Sequence, residues 1–404
     1  MSSENVGGRP ADPWNYFRSQ MPVAGHWAYF NHAAVAPISL PAHQAAVRWS
    51  SLASDDGGTA WAEWNQGIQA CRLAAARLLG ADAREVALLP NTTQGIGLVA
   101  AGLPWREGDN VVFLADEFPS NQYPWLSLAE QRVEARRLPT DHGRFELGAL
   151  DALCDARTRL VAVSWIGYST GFRCNPAAVA EIAHRHGALF FLDAIQGLGA
   201  FPLEVHAAEV DFLAADGHKW MLGPEGAGIF YVRHDLLETL RTANLGWNSV
   251  VHDQDFTKIE LNLKPAAERF EGGTLNTCGF LALSASLNLL LELGIERIAT
   301  RILDYTDRAC EQLADAGAVI VSHRQGDQRS GILSFDVPGV DPLMVRRHCL
   351  AANISLSYRA GRLRISPHAY NNDDDMARLC DVLARLRRLG SSTGVPPVPK
   401  DQQQ

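Results

Sequence analysis

Asp216-Gly217-His218-Lys219-Trp220-Met221-Leu222-Gly223-Pro224-Glu225-Gly226 joins two apolar runs, Phe212-Leu213-Ala214 before it and Gly228-Ile229-Phe230-Tyr231-Val232 after it. Its Gly-Pro-x-Gly end predicts a turn. Upstream, Phe190-Phe191-Leu192-Asp193-Ala194-Ile195-Gln196 closes another apolar run on an acid and an amide, and Lys219 follows Asp193 by 26 residues. Runs that are apolar throughout, rather than alternating, predict strands buried on both faces of a mostly parallel sheet. Asp193 then falls at the carboxyl end of such a strand, where open α/β sheets hold ligands.

The same grammar extends outward. Residues 86–89, 110–114, 160–164, 188–192, 212–214 and 228–232 read as strands, with helical patterns at 96–103 and 176–186 between them. Strands alternating with helices predict an α/β fold. After Gly279 the pattern changes. A helix is expected over 280–293, a strand over 331–335, a helix over 342–352, and strands over 354–358 and 363–366 flanking a hairpin turn at Arg359-Ala360-Gly361-Arg362. The expected organisation is an N-terminal arm (1–25), a large domain (26–284), a small C-terminal α+β domain (285–390) and a disordered tail (391–404) poor in large apolar residues.

The 404 residues are 47% hydrophobic, enough for one large core and a smaller one. A formal net charge of −9 with no basic block argues against a nucleic-acid partner. No apolar run reaches the roughly 18 residues of a membrane span, and Met1–Pro13 lacks a secretory h-region. The seven cysteines are scattered without a CxxC pair, which points away from a disulfide framework or a metal site. A cytoplasmic, soluble protein is expected.

A lysine that can form a Schiff base, with an acid to hold a pyridinium nitrogen, is the minimum equipment for pyridoxal phosphate chemistry. Lys219 and Asp193 supply that pair. Asn91-Thr92-Thr93-Gln94-Gly95, between a strand and a helix, offers hydroxyls and amides at a helix N-terminus, a natural phosphate site. Together these motifs resemble the class V aminotransferase family of fold-type I pyridoxal phosphate enzymes, over about Tyr29 to Leu383. The resemblance implies a large domain with a mostly parallel, seven-stranded sheet and a small C-terminal domain.

It also implies roles. Lys219 is the catalytic lysine, Asp193 the partner of the ring nitrogen and Gln196 a partner of the phenolic oxygen. Thr92, Thr93 and His218 form the phosphate cup. Phe118 falls where cysteine desulfurases carry a ring-stacking His, and Tyr168 resembles a position near the cofactor. Thr274, in Glu271-Gly272-Gly273-Thr274, matches a motif that reaches the phosphate of a neighbouring subunit, so a homodimer with shared sites is expected. Trp247 either lines that entrance or packs in the core. Asn31 resembles a segment covering the substrate, and Arg364 the clamp on the carboxylate of a small amino acid. Alternation puts Arg362 and Arg364 on one face of a strand, so only the family register separates them. Asp216 departs from the pattern: desulfurases place a phosphate-binding Ser there, and a carboxylate beside a phosphate is repulsive.

Cysteine desulfurases also need a thiolate on a mobile loop to carry the persulfide. Cys349 lies 15 residues before Arg364, but Val345–Ala352 has helical periodicity, and the loop has shrunk to the Ala360-Gly361 turn. A poor persulfide former is therefore expected. The resemblance leaves an aminotransferase or a C–S lyase acting on a small L-amino acid, with an amino-acid epimerase as the alternative. A catalytically silent binding protein is the reading from another class.

Overall fold

The computed structural model describes residues 12–242 and 244–392. A seven-stranded sheet forms its centre, in the order β2-β8-β7-β6-β5-β3-β4. Its strands are β2 (Val86–Leu89), β3 (Asn110–Leu114), β4 (Glu134–Leu138), β5 (Thr158–Ser164), β6 (Leu189–Asp193), β7 (Phe212–Asp216) and β8 (Gly228–Val232). Only β8 runs antiparallel to its neighbours. All side chains of β2, β3, β7 and β8 are buried, as their unbroken apolar composition requires. Edge strand β4, Glu-Ala-Arg-Arg-Leu, is half polar because one side meets solvent, and it was not legible as a strand.

Helices cover both faces. On one side α2 (Leu40–Asp55) and α3 (Trp61–Leu79) pack with α8 (Thr277–Leu293), and α7 (Pro176–Arg185) lies on β6. On the other, α4 (Thr92–Gly102) lies on β7 and touches the short α5 (Tyr123–Ser127). Gly95 makes the α4 contact possible: a Cβ there would stand 2.7 Å from the Ala214 Cβ. A further short helix, α6 (Leu147–Leu153), contacts α7.

The C-terminal layer is a four-stranded sheet, β12-β13-β10-β9, built from β9 (Val319–Ile320), β10 (Leu333–Asp336), β12 (Ser357–Arg359) and β13 (Arg362–Ile365). Helices α9 (Ile295–Asp315), α10 (Pro342–Ala351) and α11 (Asp373–Ser392) complete it. Within α9 the buried side chains pass from the central core, up to Ile302, to the core of the C-terminal layer, from Tyr305 on. Helix α8 carries Phe280, Leu283, Leu287 and Leu290 into the central core.

The expected arm is packed from residue 12 on. Helix α1 (Pro13–Ser19) buries Phe17 against His368 and Tyr370, and Arg18 pairs with Asp375 at 2.8 Å. Strand β1 (Ala28–Tyr29) pairs in parallel with β11 (Ile354–Ser355), so the N-terminal segment belongs to the C-terminal layer. The expected tail lies outside the described residues beyond Ser392. Among the described residues no single helix is long and apolar enough to cross a membrane.

Candidate active site

The carboxyl-end segments of five strands of the large sheet, β2, β3, β5, β6 and β7, converge with the C-terminal hairpin on a cavity of about 320 Å³. Nine of the twelve residues singled out from the sequence line it: Thr92, Thr93, Phe118, Tyr168, Asp193, Gln196, His218, Lys219 and Arg364. The other three do not. Asn31 sits one step back and accepts from the Ser357 hydroxyl, which in turn accepts from Arg364 Nη2 at 3.3 Å. It therefore braces the arginine instead of covering the cavity. Trp247 and Thr274 line a second cavity of about 570 Å³, bordered by Trp61, Arg72, Lys264 and Glu271.

Lys219 leaves β7 through a tight turn closed by Gly226, whose φ of 78° a side chain would strain. The lysine is 9% exposed. Burial strips water from its ammonium and lowers its pKa to about 8, while Asp193 acts in the opposite direction. Asp193, at the end of β6, is raised to about 6 by burial, against a hydrogen bond from the Ile195 amide (3.1 Å) and the lysine's charge. The Lys219 nitrogen stands 5.8 Å from the centre of the Phe118 ring, and Tyr168 packs edge-on to that ring at 5.4 Å.

Gln196 has both ends of its amide engaged. Its Oε1 accepts from Trp220 Nε1 (3.0 Å), and its Nε2 donates to the Ala33 carbonyl (3.0 Å). It thus fixes the residue after Lys219 and the N-terminal segment that walls the cavity. One amide hydrogen of Nε2 remains for a ligand.

Helix α4 starts at Thr92, four residues earlier than its periodicity indicates, because Asn91 caps it by accepting from the Gln94 amide (2.9 Å). Thr92 and Thr93 therefore form the first turn itself. Thr92 Oγ1 accepts from the Asp216 amide (2.9 Å), tying the helix start to the end of β7, and Thr93 donates to Ser120 Oγ (2.8 Å). Asp216 is 5% exposed and lines the cavity. Its Oδ2 lies 3.0 Å from His218 Nδ1, but the approach is not that of a hydrogen bond, and its Oδ1 has no partner. A buried acceptor left unpaired costs about 1–3 kcal/mol, and more when charged.

The hairpin sets the two arginines apart: Arg364 lines the cavity and Arg362 does not. Its two-residue turn, Ala360 (φ 47°) and Gly361 (φ 82°), has the left-handed backbone that such a turn demands. Arg362 faces Asp336 (3.4 Å) and His142. Arg364 is 1% exposed, donates to the Tyr168 carbonyl and keeps a buried Nε without a partner. Desolvation lowers its pKa to about 9, and the charge of Arg359, also on the cavity wall, adds to this.

Glu117 is the principal residue that sequence reasoning missed. It is fully enclosed and accepts from both the amide (2.6 Å) and the hydroxyl of Ser164, the residue beside Asp193 in the sheet. Burial raises it to about 8, and Asp193 pushes the same way. The only signal was an acid next to Phe118.

None of the seven cysteines lines this cavity. Cys349 is buried on α10, and burial pushes its thiol up to about 12.

The description "Aminotransferase class-V" matches residues 29–378. The chain belongs to the class-V aminotransferase family. A probable cysteine desulfurase of Methanothermobacter thermautotrophicus is 30% identical over 397 residues, covering 92% of this chain and 98% of the relative. An apo cysteine desulfurase from Thermococcus onnurineus NA1 superposes with a TM-score of 0.84 at 23% identity, covering 96% and 100% of the two chains. The cystine C–S lyase C-DES, solved with its product cysteine persulfide, gives 0.85 at 22% identity, covering 91% and 100%. Class-V aminotransferases are pyridoxal phosphate enzymes, and the pocket fits that cofactor in its donor set. An amine, a carboxyl and an aromatic ring line one cavity, a capped helix start lies on its wall, and a buried guanidinium keeps an unpaired N–H. Asp216 alone runs against it.

Proposed function

We propose that this class-V aminotransferase acts at the α-carbon of a small L-amino acid, as an aminotransferase or a C–S lyase that uses no persulfide cysteine. The observation that carries this reading is the pocket's composition: a buried lysine opposite a buried arginine, with no thiol between them. Pyridoxal phosphate, when bound, supplies an electron sink at the α-carbon. The residues do the rest. Arg364 offers unpaired N–H to the substrate carboxylate and so fixes which face of the α-carbon meets Lys219. The Lys219 amine, with its lowered pKa, takes the α-proton. With the cofactor bound, Asp193 would hold a proton at the ring nitrogen, Phe118 would stack on the ring, and Thr92, Thr93 and His218 would hold the phosphate.

Purified holoprotein mixed with single L-amino acids, without a keto acid, tests this. A lasting loss of the yellow band means amino transfer; recovery of the band with pyruvate and sulfide means C–S cleavage. A racemised substrate with neither product would favour the epimerase, and no response to any amino acid would overturn the proposal. Cys349→Ala should leave turnover unchanged, because the thiol is in the core; loss of activity with the fold intact would restore a sulfur-carrying role to it.

The working unit is proposed to be a homodimer in which Thr274 serves the partner's phosphate. In one chain Thr274 is exposed and remote from Lys219. The neighbouring segment leaves Phe256, Ile259 and Leu261 exposed by 69%, 90% and 75%, a patch that a soluble monomer rarely presents. Light scattering should give a mass of two chains, and Ile259→Lys with Phe256→Lys should shift it to one and weaken cofactor retention. A wild-type monomer at micromolar concentration that keeps its cofactor would exclude the shared site.

A further inference from the structure

We infer that Asp216 makes the phosphate cup of this chain take the cofactor phosphate with one proton on it, as the monoanion, the acidic O–H donating to Asp216 Oδ1. This rests on the reading of the Asn91–Thr93 end of the cavity as the phosphate end.

The geometry leaves little choice. Asp216 is held in place through its own backbone, whose amide donates to Thr92 Oγ1 at the first turn of α4. Its carboxylate is 95% buried and lines the same cavity as Asn91, Thr92, Thr93 and His218, so it cannot turn to solvent. No group among the described residues donates to Oδ1. A buried carboxylate oxygen without a donor asks for a ligand that brings one. A phosphate dianion brings three acceptors and would meet the carboxylate with like charge. A phosphate monoanion brings one hydroxyl and two acceptors. The hydroxyl satisfies Oδ1, and the acceptors meet the free amides and the dipole of α4.

The other charged groups around Asp216 do not replace that proton. His218 Nδ1 lies 3.0 Å from Oδ2, the opposite oxygen. Lys219 feels the charge of Asp193 first and of Asp216 more weakly but donates no hydrogen bond to Oδ1, and Arg359 and Arg364 reach the cavity from the hairpin. Strands β6 and β8 place Ala214 of β7 beside Asp193 and Asp216 itself beside Gly228, which adds no cation. Helix α4 contributes only neutral Asn91, Thr92 and Thr93 on this side.

The free phosphate ester loses its second proton at about pH 6. Above neutrality the binding equilibrium therefore takes up about one proton, and affinity for the cofactor should fall roughly tenfold per pH unit where the bound phosphate keeps its proton and the free one does not.

The ³¹P resonance of the holoprotein, followed from pH 6 to 9, reads the phosphate directly and independently of turnover. The expected result is a monoanion shift whose midpoint lies at least about one unit above that of the free cofactor. In Asp216→Ser, or in Asp216→Asn if the serine variant does not fold, the phosphate should titrate as the free ester does or remain a dianion throughout. A wild-type phosphate that is already a dianion at pH 7 overturns the proposal, including the case in which His218 carries the proton instead. A protein that takes up no cofactor overturns the reading of the cavity on which it rests.

Discussion

Lys219→Ala is expected to lower turnover by about 10²–10⁴-fold or more, the range a positioned general base contributes. The loss should fall on the step that removes the α-proton, so substrate should still bind while a slowed α-proton exchange accompanies the lost turnover. The cofactor, no longer held covalently, should wash out on gel filtration. Compared without cofactor, the variant should be no less stable than wild type. The ammonium is buried against its preference, as its lowered pKa records, and alanine removes that penalty. Folded, stable and inactive is thus the expected combination, checked by single-turnover kinetics beside thermal unfolding. Retained activity would remove Lys219 from the chemistry.

Arg364→Ala is expected to raise KM for the amino acid about 10–150-fold, the equivalent of the 1.5–3 kcal/mol carried by charge-assisted hydrogen bonds. The informative control is the decarboxylated amine of the same substrate. Wild type should discriminate strongly against it, and the variant should not. Arg364→Lys should recover little, since a point charge cannot reproduce the planar fork that reaches Tyr168, Ser357 and a carboxylate together. Equal discrimination in wild type and variant would move the carboxylate elsewhere, Arg359 being the next cation on the wall.

The sequence showed the central sheet well because its strands are apolar without interruption, which only burial on both faces explains. Of the nine singled-out residues that line the cavity, Asp193 and Lys219 were legible from the end of an apolar run and the turn after another, Thr92 and Thr93 from a helix start, and the other five only through the family resemblance. Where neighbours set the structure, it showed less. Edge strand β4 carries charge on its open side, and α4 begins at a cap, which hydrophobic periodicity cannot see. Glu117 was hidden because its partner, Ser164, lies 47 residues away. Trp247 and Thr274 were grouped with the lysine by motif, yet in one chain they border a different cavity.

The seam between β1 and β11 bears on the order in which this protein can be made. Residues 33–35 wall the cavity, and the segment leading to them is held at Ala28–Tyr29 by the strand at 354–355, at His32 by Tyr370 and at Ala33 by Ser366. A chain emerging from the ribosome can assemble its central sheet long before it has these partners. The cavity, by contrast, closes only when the segment from residue 354 on is free to fold back on residues 28–33, a connection spanning more than three hundred residues. The cofactor pocket is therefore among the last things to form, and a nascent or truncated chain that has built most of its core would still have nowhere to keep its cofactor.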